Sequence, residues 1–142
     1  MMITVLLADD HRMVRDGLQF LLEAPGDIQI AATASNGQEA VEHARLVCPD
    51  VAVIDVSMPV MDGIEATKYI CKHCPNTHVV MLSMYDTAEY VQRALQAGAA
   101  GYVLKDAAGS ELVEAVRTLY EGNNYFSPKI AEMVKHLNKQ FK

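Results

Sequence analysis

The chain has 142 residues, 51% hydrophobic and 21% charged, enough apolar material for one buried core and far from the depleted composition of a disordered chain. Its 12 basic and 18 acidic residues give a net charge of −6, the wrong sign for holding a phosphate backbone, so nucleic-acid binding by this chain alone is disfavoured. No run reaches the roughly 18 apolar residues of a membrane helix and no secretory pattern opens the chain, so a cytoplasmic protein with no membrane contact is expected, its odd set of Cys48, Cys71 and Cys74 kept as reduced thiols.

Read in chain order, short aliphatic runs recur at Ile3–Ala8, Ile28–Ala34, Val51–Ile54, Val79–Leu82 and Gly101–Leu104. They are too uniformly apolar for half-exposed strands and predict buried parallel ones. Between them, helical spacing predicts helices over about 12–23, 37–47, 63–73, 87–97 and 110–121. Punctuation falls where the elements need it, at Ala24-Pro25-Gly26-Asp27, Asn36-Gly37, Pro49-Asp50, Cys74-Pro75-Asn76 and Ala97-Gly98. Five strand–helix units in succession predict a doubly wound α/β fold with a five-stranded parallel sheet covered on both faces. After Gly122 the pattern changes. Ser127 is a candidate N-cap, Pro128 suits a first helical position, and an extra C-terminal helix should carry Ile130, Met133, Val134, Leu137 and Phe141 on one face, with Lys135, Lys139 and Lys142 in a linker-like end.

In such a sheet, ligands bind beyond the carboxyl ends of the strands. Asp9 and Asp10 follow the first strand, Asp55 the third, Ser83 the fourth and Lys105 the fifth. Two carboxylates from one loop and a third from a neighbouring strand offer hard oxygen ligands with room for water, which suits Mg²⁺. The lysine and the serine hydroxyl suit phosphoryl oxygens. The set matches phosphoryl transfer onto a carboxylate, with Asp55 as nucleophile and Asp9 and Asp10 serving the metal.

At these residues the sequence resembles the receiver domain of two-component response regulators, and among them the NarL/FixJ type. The matching segments are Leu6-Leu7-Ala8-Asp9-Asp10-His11, Asp55-Val56-Ser57-Met58-Pro59-Val60-Met61-Asp62-Gly63, Met81-Leu82-Ser83 and Gly98-Ala99-Ala100-Gly101-Tyr102-Val103-Leu104-Lys105-Asp106. The resemblance covers about residues 3–122 and implies a flavodoxin-like sheet of strand order 2-1-3-4-5. It implies that Asp55 accepts phosphate from the phosphohistidine of a sensor histidine kinase. Mg²⁺ would be held by Asp10, Asp55 and the backbone carbonyl of Ser57, and by Asp9 through water. Lys105 would hold the phosphoryl group, Ser83 would swing toward it, and Tyr102 would change rotamer as the second switch residue. Self-phosphorylation from small donors and slow self-dephosphorylation are implied, without the activity of a conventional enzyme.

The division expected is a receiver domain over 1–122 and a linker or tail helix over 123–142. Members of this type continue into a helix-turn-helix DNA-binding domain, so the chain is expected to be the receiver portion of a transcription regulator, DNA being reached only through an output domain absent from this chain. A single-domain regulator acting through protein contacts is the alternative. The kinase should dock near Met13, Val14 and Leu18 on the first helix, Met58 and Met61 should shape partner contacts, and phosphorylation should promote a homodimer. Asp106 follows Lys105 where many receivers have proline after a cis peptide. A cis bond here would cost roughly 3 kcal/mol, and the isomer is left open. Tyr85, two residues after Ser83, is expected to slow phosphate loss. Competing readings fail at specific residues. Cys71-Lys72-His73-Cys74 with His78 lacks the second pair a zinc site wants. A haloacid-dehalogenase-like phosphatase needs an aspartate where Ser57 stands, and a dinucleotide site needs glycines where Asp9-Asp10-His11-Arg12-Met13 stands.

Overall fold

A computed structural model describes residues 2–140, with side chains to residue 137. Elements follow in the order β1 (Ile3–Ala8), α1 (Arg12–Glu23), β2 (Ile28–Ala34), α2 (Gly37–Val47), β3 (Val51–Asp55), α3 (Gly63–His73), β4 (His78–Ser83), α4 (Ala88–Gln96), β5 (Gly101–Leu104), a 3-10 turn (Lys105–Ala107), α5 (Ala108–Tyr120), β6 (Tyr125–Phe126) and α6 (Pro128–Gln140). All pairings are parallel, and the sheet order is β2-β1-β3-β4-β5-β6.

The alternation of side chains along a strand explains why the central runs are apolar throughout. Leu6, Ala8, Ala52, Ile54, Val79, Met81 and Tyr102 face one side, against α2, α3, α4 and α6. Val5, Leu7, Val51, Val53, Val80, Leu82 and Val103 face the other, against Leu18 and Leu22 of α1 and Leu112, Val116 and Leu119 of α5. β2 departs from the uniform burial expected of it, because it lies at the sheet edge and leaves Gln29 and Ala31 exposed.

The sixth strand adds to the five expected from sequence. Its two residues carry no readable alternation, and tertiary contacts hold it. Tyr125 N–H donates to the Ala100 carbonyl and Ser127 N–H to the Tyr102 carbonyl, while the Tyr125 and Ser127 hydroxyls both donate to Glu111. Ser127 Oγ also accepts from Leu104 N–H, so this hydroxyl ties β5 to α5, and the Ser127 carbonyl accepts the first bond of α6 from Ala131. Pro128 opens α6 as expected, and Ile130, Met133, Val134 and Leu137 pack on the core. Phe141, Lys142 and the side chain of Lys139 lie outside the described residues.

Two caps fix the loop after β3. Asn36 accepts from Glu39 N–H at the start of α2, and Asp62 accepts from Glu65 N–H at the start of α3. Each cap is followed by a glycine pressed against backbone. Gly37 N–H donates to the Met61 carbonyl and Gly63 N–H to the Val56 carbonyl, and a Cβ on Gly63 would stand 1.9 Å from the Asp55 carbonyl oxygen. Within the clamped loop Val60 has φ 70° and is 82% exposed. A β-branched residue in this left-handed region is strained by about 1–2 kcal/mol. Val60→Asn is therefore expected to raise stability by about 1 kcal/mol. An unchanged or lower urea midpoint would contradict this.

Candidate functional site

The carboxyl ends of β1, β3, β4 and β5 bring the expected residues together. Asp9 follows β1 fully buried, its N–H bonded to the Ala34 carbonyl and its Oδ1 accepting from His11 N–H at 2.9 Å. Asp55, the last residue of β3, is buried beside it. Its Oδ1 accepts from Ser57 N–H at 3.2 Å, and its Oδ2 accepts from Lys105 Nζ at 2.9 Å. The same ammonium lies 3.3 Å from Asp9 Oδ2. That oxygen is close enough for charge attraction but has no hydrogen bond, and it is a buried polar atom without one. Asp10 is exposed, and ligand atoms of Asp9, Asp10, His11 and Asp55 lie within 4.8 Å of one another.

Burial pushes the Asp55 carboxyl above its ordinary range. The Lys105 hydrogen bond opposes this and the neighbouring Asp9 charge adds to it. Burial alone would lower the Lys105 ammonium, but its bond to Asp55 and the two carboxylate charges outweigh that and raise it. Among the described residues the buried carboxylates of the cluster share one ammonium, Lys105, while the Arg15 guanidinium donates to the Asp9 backbone carbonyl at 2.8 Å.

Ser83 ends β4 fully buried, and its Oγ accepts from Tyr85 N–H at 2.9 Å. Tyr102 on β5 is also fully buried, and its hydroxyl donates to the Tyr85 carbonyl at 2.7 Å. Both expected switch residues are therefore tied to one residue of the β4–α4 loop. Burial raises the Tyr102 phenol pKa. The Lys105–Asp106 peptide is trans, since no cis bond occurs among the described residues.

Two placements correct the sequence expectations. Leu18 faces inward and packs among core residues, leaving Met13, 88% exposed, and Val14 as the open ones of these three, while Phe20 is a further exposed apolar side chain of α1. Met58 is buried and Met61 half-buried against the core, so Val60 is the exposed apolar residue of that loop. Cys71 bonds the Gly98 carbonyl through its thiol, Cys74 is buried, and neither joins a metal-capable cluster among the described residues.

Sequence reasoning did not foresee two features. His11 Nδ1 stands 3.2 Å from Asp10 Oδ1 and 3.6 Å from Asp9 Oδ1. Tyr85 stacks on Tyr90 with centroids 4.2 Å apart and an interplanar angle of 9°, the Arg93 guanidinium lies 5.7 Å from the Tyr90 centroid, and the Tyr85 hydroxyl is 3.4 Å from Ser57 Oγ. The Tyr90–Arg93 spacing of three on a helix was a readable signal. The Tyr85–Tyr90 pairing spans a loop and was not.

The family model of the response regulator receiver domain matches residues 5–117, and the chain belongs to that family. Within it the chain is of the NarL/LuxR type. It is 42% identical over 125 residues to the transcriptional regulatory protein MctR of Rhizobium johnstonii, a match covering 88% of this chain and 58% of that protein. It is 40% identical over 127 residues to the oxygen regulatory protein NreC of Staphylococcus carnosus, covering 89% and 58%. In structure it resembles a LuxR-family two-component response regulator from Aurantimonas, with TM-score 0.91 and 31% identity over 97% of this chain and 99% of that one. The chain spans about three fifths of the length of the curated relatives it matches. No described helix is long and apolar enough to cross a membrane.

Proposed function

We propose that Asp55 is the acceptor of a phosphoryl group delivered by the phosphohistidine of a sensor histidine kinase, in a Mg²⁺-dependent reaction. The observation that carries this is the Lys105 ammonium standing 2.9 Å from Asp55 Oδ2 and 3.3 Å from Asp9 Oδ2 at the end of the sheet. The acid cluster fits the metal: its ligands are hard oxygens, and Asp9 Oδ2 is a buried acceptor with no hydrogen bond. Asp10, Asp55 and the Ser57 carbonyl would hold the ion directly and Asp9 through water, and the bound ion would offset the repulsion between the attacking carboxylate and the phosphoryl oxygens.

The chain's own groups account for the rest. Burial and the Lys105 and Ser57 bonds fix the Asp55 carboxylate in place, and Lys105 neutralises charge on the transferred group. Ser83 Oγ now accepts from Tyr85 N–H. When the Ser83 side chain turns to donate its hydroxyl to a phosphoryl oxygen, its Oγ moves away from Tyr85 N–H, the loop bearing Tyr85 loses an anchor, and the Tyr102 hydroxyl bond to the same residue is strained with it. The two arrangements form the switch. This is signalling rather than conventional enzymatic turnover, with self-phosphorylation from small donors and slow hydrolysis as side activities.

Residues 1–122 act as the receiver and 123–142 as the passage toward an output domain that binds DNA. The greater length of the relatives favours this over a single-domain regulator. The kinase docks at the site mouth beside Met13 and Val14, the phosphorylated form associates as a homodimer, and both act in the cytoplasm. Beryllofluoride with Mg²⁺ tests the reading: the amide resonances of Ser83, Tyr85 and Tyr102 should shift in the wild type and stay fixed in Asp55→Ala. An unresponsive wild type would overturn it.

Tyr85 should also govern phosphoryl lifetime. Its ring, held between Tyr90 and Ser57 Oγ, covers the approach of water to the acceptor. Tyr85→Ala is expected to shorten the lifetime several-fold, read by loss of the phosphoryl mass with time. An unchanged or longer lifetime would refute the shielding role.

A further inference from the structure

Helix α1 sends one side chain back to the turn that carries Asp9 and Asp10. Arg15 is half-buried, and its Nη1 donates to the backbone carbonyl of Asp9 at 2.8 Å. That carbonyl belongs to the peptide joining Asp9 to Asp10, and among the described residues no backbone N–H bonds it. The Asp9 side of the turn has its own anchors, from Asp9 N–H to the Ala34 carbonyl and from His11 N–H to Asp9 Oδ1. Asp10 is exposed, and the partner of its carboxylate is the His11 imidazole, a side chain 68% exposed. A planar peptide turns as a unit, so rotating this one changes ψ of Asp9 and φ of Asp10 and redirects the Asp10 side chain. Among the described residues no ion pair draws the Arg15 guanidinium elsewhere. The Glu39 carboxyl is held below its ordinary range first by its bonds from Ser35 N–H and Oγ, each 2.8 Å, and in smaller part by the Arg15 charge.

We propose that Arg15 is a positioning residue for the divalent cation: by fixing the peptide between Asp9 and Asp10, it holds the Asp10 carboxylate where an ion can take it together with Asp55. The inference rests on the Mg²⁺ site proposed above. Arg15 acts through the Asp9 carbonyl rather than on the ion, and its two influences have opposite signs. As a charge, the guanidinium repels a cation, so its removal would tighten metal binding, an effect that half exposure and salt screen. As a donor, it preorganises the turn that carries two of the acids, and groups that orient metal ligands contribute about 10- to 100-fold in metal affinity. Its bond has the short length of a charge-assisted one and falls on the single peptide between two of the acids, so orientation outweighs the screened repulsion.

The test titrates Mn²⁺, an ion that shares the oxygen-ligand preference of Mg²⁺, into wild type, Arg15→Met, Arg15→Gln and Asp10→Ala with no phosphodonor present, reading free Mn²⁺ by electron paramagnetic resonance. Arg15→Met keeps the apolar stem but loses the charge and every donor. Its Mn²⁺ dissociation constant should rise about tenfold, and with acetyl phosphate its half-saturating Mg²⁺ concentration should rise by a similar factor while the limiting rate falls less. Arg15→Gln, which keeps a neutral donor, should lie between Arg15→Met and wild type, and it supplies the comparison with wild type if the methionine variant does not fold. Variants that bind Mn²⁺ as tightly as wild type, or tighter as charge removal alone would give, would overturn the positioning role, and so would a limiting rate that falls as far as the affinity. A wild type that binds no Mn²⁺, or an Asp10→Ala protein that binds it as tightly as wild type, would instead overturn the metal site on which the inference rests.

Discussion

Lys105→Ala is expected to slow phosphorylation of Asp55 by about two to three orders of magnitude at saturating Mg²⁺, the scale found when one preorganised charged donor is removed from a transition state. Lys105 is the ammonium of the cluster, in contact with both Asp55 and Asp9. Without it, burial and the Asp9 charge, which already push the Asp55 carboxyl up, act with less opposition. The acceptor then holds its proton to higher pH, which removes nucleophile at the acidic end of the range. Lys105→Arg should not restore the rate, because a planar fork does not fit where a compact ammonium bridges two buried carboxylates. A time course of phosphoprotein formation with acetyl phosphate checks this, and a rate within a few-fold of wild type would remove Lys105 from the mechanism.

The second large effect is on stability. Gly63→Ala places a Cβ 1.9 Å from the Asp55 carbonyl oxygen and 2.8 Å from its carbonyl carbon, both backbone atoms of the acceptor itself. No side-chain rotation relieves the overlap, so the start of α3 and the end of β3 must separate. Their junction, including the 2.8 Å bond from Gly63 N–H to the Val56 carbonyl, breaks. Destabilisation of about 3 kcal/mol or more is expected, at the upper end for overpacking. Urea unfolding measures it, and a loss below about 1 kcal/mol would show that the junction yields more easily than close-packed backbone should.

The central strands were legible in sequence because a strand buried on both faces has an unbroken apolar run, and the acceptor set was legible because each member sits at a strand end. Asp55 and Lys105 stand fifty positions apart, yet parallel crossovers carry both to the same edge. Less legible were features set by tertiary position. β2 reads as buried but lies at the sheet edge. Leu18 shares α1 with exposed Met13 yet turns into the core. β6 has two residues and exists because Glu111, Ala100 and Tyr102 supply its partners. Spacing gave no sign that Tyr85 would anchor Ser83 and Tyr102 through its backbone while its ring stacks on Tyr90, since those bonds depend on the path of the β4–α4 loop.

The most direct measurement of the central claim is the intact mass of the protein after incubation with Mg²⁺ and acetyl phosphate, for wild type and for Asp55→Ala. The wild type should gain the mass of one phosphoryl group, lost on treatment with hydroxylamine as an acyl phosphate must be, and Asp55→Ala should gain none. A wild type that gains no mass, or an Asp55→Ala protein that gains the same mass at the same rate, would contradict the assignment of Asp55 as the phosphoryl acceptor.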